Sequence, residues 1–189
     1  MLEHLKRANQ SDVCLENGVT RETLTYKEAT QYAVNLSVAL SELGVERGES
    51  VAIGSEAFLH FVPTAIAITL TGAAYTPYEL EIGRAVLNHK LNLVKPKYFI
   101  CSVLFWQAYK DVLNTCEYIQ TLIAISDIPK IKYSLKSLST KHVDIEKFEP
   151  KKVEGKTDTV LILYSSGTTG MPKGVQITHR ACILTSLPD

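Results

Sequence analysis

Residues 164–174 read Tyr-Ser-Ser-Gly-Thr-Thr-Gly-Met-Pro-Lys-Gly, and no other segment of the 189 residues is as informative. The apolar run 160–163 precedes this segment, and residues 175–178, which have the composition of a β-strand, follow it. Glycines allow the backbone to turn tightly and to approach an anion, hydroxyl side chains donate hydrogen bonds, and lysine adds a positive charge. The composition therefore predicts a loop that binds a polyphosphate.

The first alternative is a Walker-type phosphate loop. That motif requires a lysine directly after its second glycine, then Ser or Thr, and a helix that begins there. Here Met171 and Pro172 separate Gly170 from Lys173, and Gly174 stands where Ser or Thr is required. Because strand-like alternation follows, the segment is predicted to connect two strands, and the Walker interpretation fails.

Residues 165–173 match, at every position, the phosphate-loop signature of the adenylate-forming superfamily. This chain therefore resembles acyl-CoA synthetases, 4-coumarate–CoA ligases and beetle luciferases. Weaker matches occur in the same order as in that family, at residues 24–28, 43–53, 95–100 and 174–180. Together they extend the resemblance over nearly the whole chain.

The resemblance implies a reaction in two steps. A carboxylic acid, fatty or aromatic, attacks the α-phosphate of ATP to give an acyl-adenylate and pyrophosphate, and the thiol of coenzyme A then displaces AMP. ATP and Mg²⁺ are thus the implied cofactors, and CoA is the co-substrate. The implied nucleotide-binding residues are Ser165, Ser166, Gly167, Thr168, Thr169, Gly170, Met171, Pro172 and Lys173. No catalytic residue and no metal ligand is assigned within the chain.

Three motifs of the family are missing from the sequence: an aromatic-Gly-x-Thr-Glu segment, a Thr-Gly-Asp segment, and a lysine on a small C-terminal domain. We therefore expect residues 1–189 to be the N-terminal part of an AMP-binding domain, truncated and inactive alone. A non-catalytic remnant that binds nucleotide or a protein, a luciferase-type monooxygenase lineage, and an unrelated phosphate-binding module are the alternatives.

The predicted fold class is α/β, with a layered, mostly parallel sheet and flanking helices, the incomplete N-terminal domain of an adenylate-forming enzyme. Strands are predicted at 51–54, 73–76, 98–101, 119–125 and 159–164, and helices are predicted to start near Thr25, Ser55, Glu79, Ser102 and His179. Thr25 and Glu28 have the spacing of a capping box. The lysine-rich segment 126–158 is predicted to be a long surface connection.

Charge and composition narrow the possible partners. Twenty basic residues balance twenty acidic ones, and no basic stripe is present, so nucleic acid is not expected as a partner. The uncharged run 57–78 is predicted to be a buried helix and a strand rather than a membrane span. Four scattered cysteines indicate a reducing compartment, cytoplasmic or peroxisomal, although a peroxisomal Ser-Lys-Leu terminus is absent. His179 is expected to be structural and Tyr164 to pack, while His4, His60, His89 and His142 are left unassigned.

Overall fold

The computed structural model describes residues 2–166 and 170–186. Its helices are α1 (Leu2–Arg7), α2 (Tyr26–Glu42), α3 (Phe61–Leu70), α4 (Arg84–Val94), α5 (Val103–Leu113), α6 (Leu135–Leu138) and α7 (His179–Ser186). Its strands are β1 (Val13–Glu16), β2 (Thr23–Thr25), β3 (Ser50–Gly54), β4 (Ala74–Tyr78), β5 (Tyr98–Cys101), β6 (Thr121–Ala124), β7 (Tyr133–Ser134), β8 (Thr159–Ser165) and β9 (Lys173–Thr178).

Seven of the described strands form one sheet in the order β7-β6-β5-β3-β4-β8-β9, and β1 and β2 form a separate hairpin. Every neighbouring pair in the large sheet is parallel except β8 and β9, which are antiparallel. The predicted α/β class with a mostly parallel sheet is confirmed.

The sheet is buried between two layers of helices. Val51 and Ile53 of β3 pack with α2 and α3, whereas Ala52, on the opposite face, packs with α4 and α5. This alternation follows from the two-residue period of a strand. Because both faces are covered, β3 and β5 are almost entirely apolar, which is typical of a parallel sheet.

Two helix starts form as the sequence predicts. The Thr25 hydroxyl accepts a hydrogen bond from the Glu28 backbone, and the Glu28 carboxylate accepts one from the Thr25 N–H, which completes a capping box. Ser102 caps α5 by accepting from the Phe105 N–H at 3.1 Å. Each cap satisfies a backbone donor that the first helical turn leaves unpaired.

Two other helices begin later than predicted. Ser55 does not start α3, because its N–H donates to the Tyr78 carbonyl and extends the β3–β4 ladder; the helix begins at Phe61. Likewise α4 begins at Arg84 rather than near Glu79. The Tyr109 hydroxyl lies 2.7 and 2.6 Å from the carbonyl oxygens of residues 80 and 82 and holds that segment outside the helix.

Segment 126–158 contains more structure than the predicted surface connection. It supplies β7, which extends the sheet beside β6, and the short helix α6, whose Leu135 is only 2% exposed. The Asn35 side chain of α2 donates to the Ser139 carbonyl and accepts from the Val143 N–H. The lysines of this segment are exposed, whereas its few apolar residues pack in the cluster that includes α2.

In the described part of the chain, every helix is too short or too polar to cross a membrane. The uncharged run 57–78 forms α3, which has ten residues, and the core strand β4, as predicted.

Candidate functional site: a hairpin loop at the carboxyl edge of the sheet

The predicted phosphate loop connects β8 and β9. Ser165 and Lys173 lie opposite each other as the last pair of this antiparallel ladder. The predicted site residues Gly167, Thr168 and Thr169 lie outside the described residues. The predicted strand–loop–strand arrangement is present, because β8 and β9 pair as antiparallel neighbours on either side of these residues.

The loop is placed where open α/β sheets usually bind ligands. β8 runs parallel to β4, so its last residue lies at the same edge of the sheet as the carboxyl ends of the other parallel strands. That edge is the usual ligand-binding edge of such sheets.

Alternation along β8 separates anchoring side chains from exposed ones. Val160 and Ile162 are buried, and Tyr164 on the same face packs with the cluster formed by α4 and α5. Ser165 therefore points to the opposite face, together with its ladder partner Lys173, because directly opposed residues share a face. Both side chains are exposed, which places a hydroxyl and an ammonium side by side at the mouth of the loop.

The described part of the loop explains why residue 170 is glycine. Gly170 has φ of 139°, a value that L-residues with a side chain rarely adopt, and a Cβ there would meet open space. Glycine is thus required for backbone geometry rather than for room. Pro172 is half-buried, and Met171 is exposed.

Three hydroxyl groups fix the entry to the loop. The Tyr164 hydroxyl lies 2.8 Å from the Tyr78 hydroxyl, and it accepts a hydrogen bond from the Thr76 hydroxyl at 3.2 Å. Tyr78 is 2% exposed and Thr76 is fully buried. Burial raises the pKa of both tyrosines above the ordinary value, so the network is neutral over the physiological range. The prediction that Tyr164 packs is confirmed, although its hydrogen bonds were not foreseen.

Helix α4 contacts both ends of the loop through consecutive residues. The His89 Nε2 lies 2.9 Å from the Pro172 carbonyl oxygen, at the exit. The Lys90 ammonium lies 4.5 Å from the centre of the Tyr164 ring, at the entry, and burial lowers the pKa of Lys90. Sequence reasoning left His89 unassigned, because nothing in its local sequence indicates a contact 83 positions away.

A salt bridge fixes the opposite end of the hairpin. The Arg47 guanidinium contacts both carboxylate oxygens of Asp158, at 2.6 and 3.1 Å, and lowers the pKa of that carboxyl group. The Asp158 carbonyl accepts from the His179 N–H at the start of α7. His179 is half-buried, and burial lowers its pKa. Its expected structural role stays a prediction.

Across residues 2–166 and 170–186, no group of three or more His, Cys, Asp or Glu side chains is arranged to hold a metal ion. The donors at the described part of the loop are hydroxyl, ammonium and backbone groups. That donor set suits phosphate oxygens, and Mg²⁺ commonly reaches such sites coordinated to the phosphates themselves.

The fold matches the N-terminal domains of adenylate-forming enzymes. The luciferase-like enzyme of the nonluminescent mealworm Zophobas morio superimposes with a TM-score of 0.87 at 21% identity, over 95% of this chain and 42% of the enzyme. At that identity the likeness concerns the fold alone.

Sequence comparison gives the family. The family described as AMP-binding enzyme matches residues 2–187, so the chain belongs to it. Luciferin 4-monooxygenase of Photuris pensylvanica is 28% identical over 175 residues, covering 89% of this chain and 32% of the relative. 4-Coumarate–CoA ligase 1 of Petroselinum crispum is 28% identical over 175 residues, covering 90% and 30%. The chain thus spans about a third of the length of these relatives.

Proposed function

We propose that residues 165–173 bind the β- and γ-phosphates of ATP in an enzyme that joins a carboxylic acid to coenzyme A. The observation that carries the proposal is the pairing of Ser165 with Lys173, which places a hydroxyl and a positive charge on one face at the carboxyl edge of the sheet. A polyphosphate needs both kinds of group, because hydrogen-bond donors orient its oxygens and a cation offsets their charge.

In the proposed reaction a carboxylate oxygen attacks the α-phosphorus, and the bond from that phosphorus to pyrophosphate breaks. The thiol of coenzyme A then attacks the acyl carbon and AMP leaves. The loop would act on the first step by holding the departing pyrophosphate in line and by neutralising its charge. Mg²⁺ bound to the phosphates would supply further charge neutralisation there.

Polyphosphate binding can be tested directly on the 189-residue chain. We expect the 189-residue chain to bind magnesium pyrophosphate, and Lys173→Ala to weaken that binding about 10- to 100-fold, the range for losing one charge-assisted hydrogen bond. Isothermal titration calorimetry measures both. Lys110→Ala, which removes an exposed lysine from α5, is the matched control and should bind as the unaltered chain does. Equal affinity in the two variants would remove Lys173 from the site.

Turnover is a separate expectation. The sequence contains neither the Thr-Gly-Asp nor the aromatic-Gly-x-Thr-Glu segment of the family. We therefore expect the 189 residues alone not to exchange pyrophosphate into ATP with any of a panel of fatty and aromatic acids. Exchange that depends on a carboxylic acid and is lost in Lys173→Ala would contradict this expectation.

A monooxygenase of the luciferase type is the second candidate, because the Photuris relative is as similar as the ligase, at 28% identity. Assays of the protein that carries these residues would separate the two. A ligase forms a thioester in the presence of CoA, whereas a monooxygenase consumes oxygen.

The four cysteines are free thiols, which supports the proposed reducing compartment, cytosolic or peroxisomal.

A further inference from the structure

Helix α4 holds the exit of the hairpin loop through one side chain. The His89 imidazole lies 2.9 Å, measured from Nε2, from the carbonyl oxygen of Pro172. A carbonyl oxygen can only accept, so Nε2 carries the proton and donates it. This contact joins two elements that are 83 positions apart in the sequence.

The contact between His89 and the Pro172 carbonyl matters because it lies directly beside Lys173. The Pro172 carbonyl and the Lys173 nitrogen belong to the same planar peptide unit. A hydrogen bond to that carbonyl fixes the orientation of the plane from which the Lys173 side chain departs. Lys173 is exposed and pairs with Ser165, so its backbone is the part that the protein can position before a ligand arrives.

The same helix also restrains the loop entry. Lys90 follows His89 directly, and its ammonium lies 4.5 Å from the centre of the Tyr164 ring. Tyr164 immediately precedes Ser165. Two adjacent residues of α4 therefore contact the two ends of the loop. These contacts restrain the distance between the loop ends without involving the residues in the middle of the loop.

We propose that His89 is a positioning residue of the hairpin loop: by donating from Nε2 to the Pro172 carbonyl, it holds Lys173 in the orientation that receives a polyphosphate. The identity of the ligand rests on the proposed function given above. The hydrogen bond itself does not, and the two can be tested separately.

Three variants separate the hydrogen bond from the shape of the side chain. His89→Gln places an amide N–H near the position of the imidazole Nε2, whereas His89→Phe keeps a planar ring without a donor. His142→Phe, at an exposed histidine in another segment, is the matched control. Urea unfolding of each variant establishes whether the fold is intact.

The first measurement needs no ligand. Amide hydrogen exchange at Met171, Lys173 and Gly174, followed by NMR, should be about five- to tenfold faster in His89→Phe, the effect of losing one hydrogen bond on local opening. His89→Gln and His142→Phe should exchange at the rate of the unaltered chain. Unchanged exchange in His89→Phe, or fast exchange in His89→Gln, would overturn the proposal.

The second measurement uses magnesium pyrophosphate and calorimetry. We expect the dissociation constant to rise about three- to tenfold in His89→Phe and to return to the original value in His89→Gln. Affinity that does not follow the donor refutes the positioning role. If the unaltered chain binds no pyrophosphate, the proposed function fails, and the exchange rates still decide whether His89 holds the loop. Should His89→Phe not fold, His89→Asn, whose amide is too short to reach Pro172, replaces it.

Discussion

Replacing Tyr164 with phenylalanine tests the hydroxyl network that holds the loop entry. The change removes one oxygen and keeps the ring that Lys90 covers. It eliminates the hydrogen bonds that the Tyr164 hydroxyl makes with Tyr78 and Thr76, which are both buried, and a longer one, 3.4 Å, to the Lys90 carbonyl oxygen. With about 1 kcal/mol for each of the two shorter hydrogen bonds, we expect the free energy of unfolding to fall by about 2 kcal/mol.

Two further variants test whether the Tyr78 and Tyr164 changes are coupled in their effect on the free energy of unfolding. Tyr78→Phe removes one of the two shorter bonds and should cost about 1 kcal/mol, whereas Tyr78→Phe/Tyr164→Phe removes the same bonds as Tyr164→Phe and should cost about 2 kcal/mol. The sum of the single changes is about 3 kcal/mol, so a coupling energy of about 1 kcal/mol is expected.

Urea unfolding followed by tryptophan fluorescence measures these differences, because the chain has one tryptophan, Trp106, which packs against the same cluster as Tyr164. Tyr133→Phe is the control, since the Tyr133 hydroxyl makes no hydrogen bond among the residues that the structure describes. Additive effects of the two tyrosine changes, or a Tyr164→Phe effect no larger than that of the control, would refute the network.

Three further changes have defined outcomes. Thr25→Ala removes the cap of α2 and should lower the free energy of unfolding by about 1 kcal/mol in urea, whereas Thr23→Ala, at an exposed position, should change it little. Burial raises the pKa of Tyr32 to about 12, so the folded state retains this proton more tightly than the unfolded state does. Stability should therefore be complete below pH 10 and decline toward pH 12, and Tyr32→Phe should flatten that decline in urea titrations at several pH values. Gly170→Ala places a side chain at φ of 139° and should weaken pyrophosphate binding several-fold by calorimetry, while Gly174→Ala, whose Cβ would meet only an ordinary contact, should not; equal effects would contradict the backbone explanation.

Local signals made much of the fold predictable. The capping box, the Ser102 cap and the apolar runs of β3 and β5 each act within a few residues, and each forms as expected. The late start of α4 was not predictable in this way, because Tyr109, far along the chain, holds residues 80 and 82 outside the helix. The structure of 135–138 was missed for the same reason, since its burial depends on α2.

In the candidate site, too, the features set by local sequence were predictable and those set by distant contacts were not. Composition and spacing predicted the loop and its position between two strands, since glycine, hydroxyl and lysine residues act where they stand in the sequence. The groups that hold the loop, namely Thr76, Tyr78, His89 and Lys90, come from β4 and α4. Their roles depend on which strand lies beside β8, and sheet order cannot be read from local sequence.

The place of β8 in the sheet also bears on how the chain folds. β8 pairs with β4 although their contacting residues Tyr78 and Tyr164 are 86 positions apart, and the chain between them first builds the other side of the sheet. Contacts between distant residues carry a larger loop-closure entropy and form later than local ones. We therefore expect β8 to join last, so that during refolding α2 and the central strands form before any affinity for polyphosphate appears.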